Sequence, residues 1–596
     1  MADSSGGPSA PAVPDILHPD ARPRMDLEAV ERALDFAFAS GGGEAVEERL
    51  EAASFAPSTW EPRSFARDIF LDELIEQCFT REAPERARSG RGPRRARVLR
   101  ELFGRPPSDP AVIATRQAVL AELDGSDALR AQLGVVHREL SELVRVLSPS
   151  DVFEEIRPRQ LGILRAVHRT VVALDEGFET SRSALARLRA LGSEIRASAG
   201  WRTLEGLLEI EGNLAGLTLQ LRVGLDGKIR ALELARVTEN VDNPHYRSPV
   251  RRFLRKLRQW FRGYRFTDDE VLEAVIDAAF DAIKPALARV VSLSPQIEFY
   301  VANLTFAELA RSRGLEVCLP KLRSAPTALD VKVGADAPRR KFRRLFNPLL
   351  LRGALPRSPV PCDLDLGGPS GIAIFTGPNS GGKTRVLQAI AIAQMLGQMG
   401  GFVPAERAEL VLAESLFVSI IEDASANQRE GRLGMELLRI RELFERVRPG
   451  GMVMLDELCS GTNPSEGEEM FELVTSLLEE LAPQALITTH FLDFARRLGA
   501  SAPRGATDAP LSFFRVELDA DDEPTYGFSP GVAESSLASK TAARLGVTRD
   551  ELQRLIRRRA GASINDPNRG SKGDTPHPSE APRSDRRRRT GGSSDR

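Results

Sequence analysis

The stretch GPNSGGKT, Gly377 to Thr384, constrains the fold of this 596-residue chain more than any other. It has the spacing G-x-x-x-x-G-K-[ST], with the apolar run GIAIFT before it and the helical run RVLQAIAIAQML after it. Strand, glycine-rich turn and helix in that order place a cradle of backbone N–H groups at a helix N-terminus, which is a phosphate site. Gly377, Gly381 and Gly382 let the backbone wrap closely round an anion, and Pro378, Asn379 and Ser380 complete the loop. Lys383 is placed to neutralise the outer phosphates, and the Thr384 hydroxyl to ligate Mg²⁺.

Further along, Met452 to Leu455 reads as a buried strand ending in Asp456 and Glu457. Beside a phosphate cradle, such a strand delivers Asp456 to the metal shell and Glu457 to the attacking water. The next strand, QALITTH, ends in His490, where an imidazole can bond the terminal phosphate. Short apolar strands alternate with helical runs through this part of the chain, predicting a mainly parallel sheet covered by helices.

The first half reads differently. Apolar residues recur at helical spacing in LEAVERALDFAFA and FARDIFLDELIEQCF, and again from about 153 to 210. Alternation at Leu217, Leu219, Leu221 and Val223, followed by a turn from Gly224 to Gly227, predicts a β-hairpin inserted between helices. Next comes RSPVRRFLRKLRQWFRGYRF, with eight Lys and Arg and no acid between Arg247 and Arg265. On a helix, Arg251, Arg255, Arg258 and Arg262 form a stripe opposite Phe253, Leu254, Leu257, Trp260 and Phe261. Three readings fit that stripe: a solvated basic face, contact with a phosphate backbone, or a membrane-surface helix.

Composition narrows the classes. Lys and Arg total 82 against 84 Asp and Glu, so the net charge of −2 gives no global pull toward a polyanion. The four cysteines, Cys78, Cys318, Cys362 and Cys459, are far apart and lack the spacing of zinc or redox sites. No apolar run approaches the roughly 20 residues of a membrane span, and no secretory signal opens the chain. A cytoplasmic protein without membrane contact is expected.

GPNSGGKT, LDELCSGTNPSEGEEM (Leu455 to Met470), ITTHF (Ile487 to Phe491) and YGFSPGVAESSLASKTAARLGV (Tyr526 to Val547) together resemble the ATPase domain of the MutS family, relatives of the ABC-type ATPases. LFGRPPSDPAVIATRQAVLAELDGSDALRAQL, Leu102 to Leu133, is similar to the start of the MutS helical core at Arg105, Pro106, Asp109, Arg116 and Val119. The resemblance implies ATP and Mg²⁺ as ligands. Gly377, Asn379, Gly382, Lys383 and Thr384 would hold the nucleotide, Asp456 and Glu457 would serve metal and water, and His490 would sense the γ-phosphate. It also implies a homodimer through the ATPase domain, with Ser460 to Asn463 facing the partner, and double-stranded DNA as a structure-specific ligand.

Two departures qualify the resemblance. With Glu436 set on the family's glutamate, Gly431 falls where a signature serine reaches the partner's nucleotide, which removes a hydroxyl and implies slow hydrolysis. Helical-core sequence begins by about residue 65, which leaves no room for a mismatch-recognition domain. The triplets Phe153-Glu154-Glu155 and Phe306-Ala307-Glu308 match its Phe-x-Glu wedge only by chance, and no nuclease domain of the Smr kind is expected.

The expectation is therefore a multidomain α plus α/β chain: a leader at 1–24, a long-helix core and lever at 25–211, and a clamp-like hairpin and basic helix at 212–266. Returning core helices at 267–328, a P-loop ATPase of the ABC type at 329–559 and a disordered basic tail at 560–596 complete it. The function expected is an ATP-gated DNA clamp of repair or recombination control. The alternative is a non-DNA scaffold or signalling ATPase that works the same lever on a protein partner.

Overall fold

A computed structural model describes residues 14–20, 25–40, 44–51, 57–80, 94–148, 156–212, 216–223, 229–238, 268–324, 338–352, 359–368, 370–420, 432–459, 463–501, 511–534 and 546–564. The stripe Arg251, Arg255, Arg258 and Arg262, the triplet at Phe153, Gly431, and Ser460 to Thr462 lie outside the described residues.

The first half is helical: α1 (Leu27–Ser40), α2 (Glu44–Glu51), α3 (Leu71–Leu74) running into a π turn at Ile75–Phe79, α4 (Arg94–Gly104), α5 (Pro110–Asp124), α6 (Asp127–Leu147), α7 (Ile156–Glu176), α8 (Ala186–Ala197) and α9 (Ala199–Gly212). Local chemistry sets the boundaries. Asp109 caps α5 by accepting from the Ala111 amide at 2.8 Å with Pro110 in the first turn, and Ser126 caps α6 by accepting from the Leu129 amide at 3.3 Å. Helix α6 buries Leu129, Leu133, Val136, Leu140, Leu143 and Leu147, one face at steps of three and four, and packs against α7.

Strands β1 (Gly216–Val223) and β2 (Ile229–Thr238) pair antiparallel as the expected hairpin. The chain then returns through α10 (Asp268–Val291) and α11 (Ser294–Ser312). Phe306 is fully buried within α11, so its ring is a core side chain and not an exposed wedge.

The second half holds two sheets. One, in the order β12-β11-β6-β10-β9-β8, has β6 (Gly371–Thr376), β8 (Leu416–Ser419), β9 (Met452–Leu455), β10 (Gln484–Thr488) and β11 (Leu511–Leu518) parallel, with β12 (Pro524–Pro530) antiparallel at one edge. The other, in the order β3-β7-β4-β5, joins β3 (Lys321–Arg323), β4 (Lys341–Leu345), β5 (Cys362–Asp365) and β7 (Arg407–Val411), and only β3 and β7 run parallel. The reading of apolar runs anticipates β6, β9 and β10 of the first sheet and no strand of the second. The strands of the second are three to five residues long and charged on their exposed positions, as in KFRRL, so they lack an apolar signature.

Alternate residues of β6 serve two cores. Ala373 and Phe375 join a large core shared with the helical half, and Ile372 and Ile374 join a smaller one on the other face. Helix α12 (Lys383–Gln398) is apolar nearly all round and is buried along its length. The smaller core is roofed by α13 (Arg432–Arg446), α14 (Pro464–Leu481) and α15 (Leu492–Ser501). No helix among the described residues is long and apolar enough to cross a membrane.

Helix α12 ends in a joint with the helical half. Gly400 takes φ +83°, and a Cβ there would lie 2.8 Å from Arg116 Cβ and 3.0 Å from the Ile113 carbonyl of α5. Arg116, 1% exposed, donates to Met399 O at 3.1 Å and to Leu17 O at 3.2 Å, and Asn303 of α11 accepts from the Phe402 amide at 3.2 Å. A separate unit from Leu537 onward contains α16 (Arg549–Ile564).

Candidate functional site

The loop Gly377 to Gly382 joins the C-terminal end of β6 to α12 at the carboxyl edge of the parallel sheet, where open α/β sheets bind ligands. Gly377 takes φ +141°, and a Cβ there would lie 2.7 Å from Val516 Cγ2. Gly382, at φ +87°, is the N-cap of α12, so residues with side chains are disfavoured at both positions. Ser380 also stands in the left-handed region, at φ +70°. Asn379 and Ser380 are exposed and Pro378 is buried.

Lys383 is 5% exposed and folds back, its ammonium donating to Gly377 O at 3.0 Å and Pro378 O at 3.1 Å. Desolvation pushes its pKa down, opposed by the carboxylates of Glu457 and Asp456. A desolvated cation held by neutral carbonyls at a helix N-terminus is poised for an anion.

Asp456 and Glu457 follow β9, the second strand from β6. Both oxygens of Asp456 accept hydroxyl protons, Oδ2 from Thr384 and Oδ1 from Thr488, each at 2.6 Å. The Thr488 hydroxyl in turn accepts from the Glu457 amide at 2.7 Å. Glu457 stands at φ +49° and Cys459 at φ +62°, and the Cys459 amide donates to the carboxylate of Glu436 on α13. His490 is exposed one residue beyond Thr489, whose amide donates to Phe375 O at 3.1 Å, so it sits at the same edge of the sheet.

Lys383, Thr384, Asp456 and Glu457 thus converge, with His490 at the neighbouring strand end. Three further residues brace or border this cluster. Thr488 acts through a hydroxyl that alternation along the strand does not mark. Glu436 acts from another helix. Tyr526, 46% exposed at φ +62°, lies with Cδ1 3.2 Å from where a Cβ on Gly382 would stand, so its ring borders the loop.

The residues fit Mg²⁺ and a nucleotide. A hydroxyl and a carboxylate in contact are hard oxygen ligands, and Mg²⁺ takes one or two such groups while keeping waters and phosphate oxygens.

Comparison with known proteins agrees with this geometry. Residues 373–507 match the family profile of MutS domain V. The chain is 30% identical over 253 residues to the endonuclease MutS2 of Thermomicrobium roseum, which is 42% of this chain and 31% of that protein. It is 24% identical over 489 residues to the endonuclease MutS2 of Lacticaseibacillus casei, covering 74% of this chain and 59% of the relative. For the Thermus thermophilus protein of the same name the figures are 31% over 183 residues, 31% of this chain and 24% of the relative. The matches span less than two thirds of each relative. The domain V match lies over the P-loop, its carboxylate strand and its histidine, so this part of the chain is similar to domain V of the MutS family.

Proposed function

We propose that this protein is an ATP-binding and ATP-hydrolysing DNA-binding protein of DNA repair or recombination control. The observation that carries the reading is the network at the loop mouth, in which Thr384, Asp456, Thr488 and the Glu457 amide are joined by bonds of 2.6 to 2.7 Å.

The loop amides and Lys383 bind the triphosphate, with Gly377 to Thr384 as the cradle. Thr384 and Asp456 would hold Mg²⁺, which when bound would neutralise phosphate charge. Glu457 orients and polarises the attacking water, His490 bonds the γ-phosphate, and Lys383 stabilises charge on the outer oxygens. Tyr526 offers an aromatic face beside the loop for the nucleobase. Hydrolysis is slow, in keeping with glycine at 431 in place of a hydroxyl donor.

The chain works as a homodimer through its ATPase region, in the cytoplasm and without membrane contact. The core and lever helices convert nucleotide state into closure of a clamp formed by the hairpin and the basic stretch. Support for that transmission comes from the joint of Gly400, Arg116 and Asn303, which ties the end of α12 to α5 and α11. Arg251, Arg255, Arg258 and Arg262 contact the phosphate backbone of double-stranded DNA, so binding is structure-specific and falls with salt.

The test is an anisotropy titration against duplex, mismatched and branched DNA at two salt concentrations, with and without ATP and Mg²⁺. Salt-sensitive, ATP-dependent affinity is expected, lost when Arg251, Arg255 and Arg258 become Glu. ATP binding without measurable affinity for any of these DNAs would move the reading to a lever acting on a protein partner.

A further inference from the structure

Two consecutive features of the turn after β9 are out of the ordinary. Glu457 and Cys459 both occupy the left-handed region, at φ +49° and +62°, and neither is glycine. Such backbone persists only where its surroundings over-determine it, and it gathers at functional sites. Here each strained residue has its amide held by a side chain from another element. Thr488 of β10 takes the Glu457 amide, and Glu436 of α13 takes the Cys459 amide. The turn is closely covered too: a Cβ on Gly467 of α14 would lie 2.8 Å from the Cys459 carbonyl.

Helix α13 is also fixed three residues further on. Arg439 donates to Val418 O of edge strand β8 at 2.6 Å and to Ser64 O at 3.3 Å, lies 3.4 Å from Asp68 Oδ2, and stacks 4.4 Å over the Phe417 ring. Asp68, 1% exposed, belongs to the helical half; its Oδ1 accepts from the Ile420 amide at 2.8 Å. The Asp68 carbonyl accepts from Gln388 of α12 at 3.2 Å. Adjacent turns of α13 therefore hold the turn that carries Glu457, through Glu436, and the helical half, through Arg439.

We propose that Glu436 is a positioning residue for Glu457, and that α13 passes displacement of the helical half at Asp68 and Arg439 to the water-polarising carboxylate. Loss of the Glu436 carboxylate frees the Cys459 amide, and the turn relaxes out of the left-handed region, taking Glu457 with it. The inference deepens the ATPase reading and rests on it for its kinetic consequence, whereas its conformational consequence stands apart. Cys459 reports that directly: its thiol is 1% exposed, and burial, with the nearby Glu436 carboxylate second, pushes it up to about 12.

The experiment uses the full-length chain and its Glu436→Ala, Glu436→Gln and Arg439→Gln variants. Steady-state hydrolysis, Mg·ATP affinity and iodoacetamide labelling mapped by mass spectrometry are measured on each. In Glu436→Ala, kcat falls by about tenfold or more with ATP affinity within about twofold of native. Labelling of Cys459 accelerates by at least about tenfold, while Cys78 and Cys362, buried elsewhere, keep their native rates and exclude general opening. Glu436→Gln, which retains an amide acceptor, recovers part of both effects and serves if the alanine variant does not fold. Arg439→Gln lowers kcat in the same direction with Glu436 in place. Native labelling of Cys459 in both Glu436 variants overturns the proposal, and unchanged kcat in Arg439→Gln overturns the transmission through α13. A native chain that neither binds nor hydrolyses ATP defeats the ATPase reading alone, since Cys459 labelling still reads the turn.

Discussion

Thr384 and Asp456 are 72 residues apart in the chain, and their side chains meet at 2.6 Å, hydroxyl donating to carboxylate. The contact joins the two side chains proposed to hold Mg²⁺. A hydroxyl and a carboxylate so close need only separate slightly to admit a small hard cation. In Asp456→Asn the amide is a weaker ligand than the carboxylate. ATP affinity measured with Mg²⁺ should fall by about tenfold or more, and affinity measured with chelator should stay near native.

Lys383 predicts a pH dependence. Its pKa in the folded chain is lowered by desolvation from an ordinary value of 10.5, against the pull of Glu457 and Asp456. A lysine shifted down penalises folding while it is charged in both states, and the penalty disappears as pH rises from the folded pKa to 10.5. The nucleotide-free chain should therefore gain stability relative to Lys383→Met as pH is raised from neutral into that window. Denaturant melts of both proteins across the range check the sign. ATP should protect the native chain alone.

Tyr526 borders the loop at Gly382 and is 46% exposed. Removal of its ring in Tyr526→Ala should weaken ATP by about tenfold, the scale of one stacked base. Affinity for inorganic tripolyphosphate, which has no base, should be unchanged. Equal losses for both ligands would show that the variant disturbs the loop instead.

At the joint beyond α12, Gly400→Ala adds a methyl group where φ is +83° and the nearest atoms of Arg116 and Ile113 would be 2.8 and 3.0 Å away. Overpacking and a left-handed alanine together should cost roughly 2 kcal/mol or more. Urea unfolding measures it. ATP affinity should change less than ATP-dependent DNA binding, because the cradle lies at the other end of the helix.

Much of the site was legible because its chemistry is local. GPNSGGKT spells a turn that needs glycine at Gly377 and Gly382 and a cation at Lys383, and the strands on either side announce themselves as apolar runs. Asp456, Glu457 and His490 were legible as strand ends. The helical half was legible as periodicity, and the caps at Asp109 and Ser126 emerged with the structure. The second sheet was not, since strands of three to five residues with charged exposed positions carry no pattern.

The sequence by itself determined the glycine-rich loop and lysine proposed to bind phosphate, since backbone conformation and charge there depend on residues next to one another. Only the tertiary structure decided what holds the carboxylates in place. Thr488 and Glu436 come from a strand and a helix away along the chain from the amides they hold. Hydrogen bonds between such elements exist only once packing has brought them within 3 Å or so, and no local pattern of residues encodes that approach.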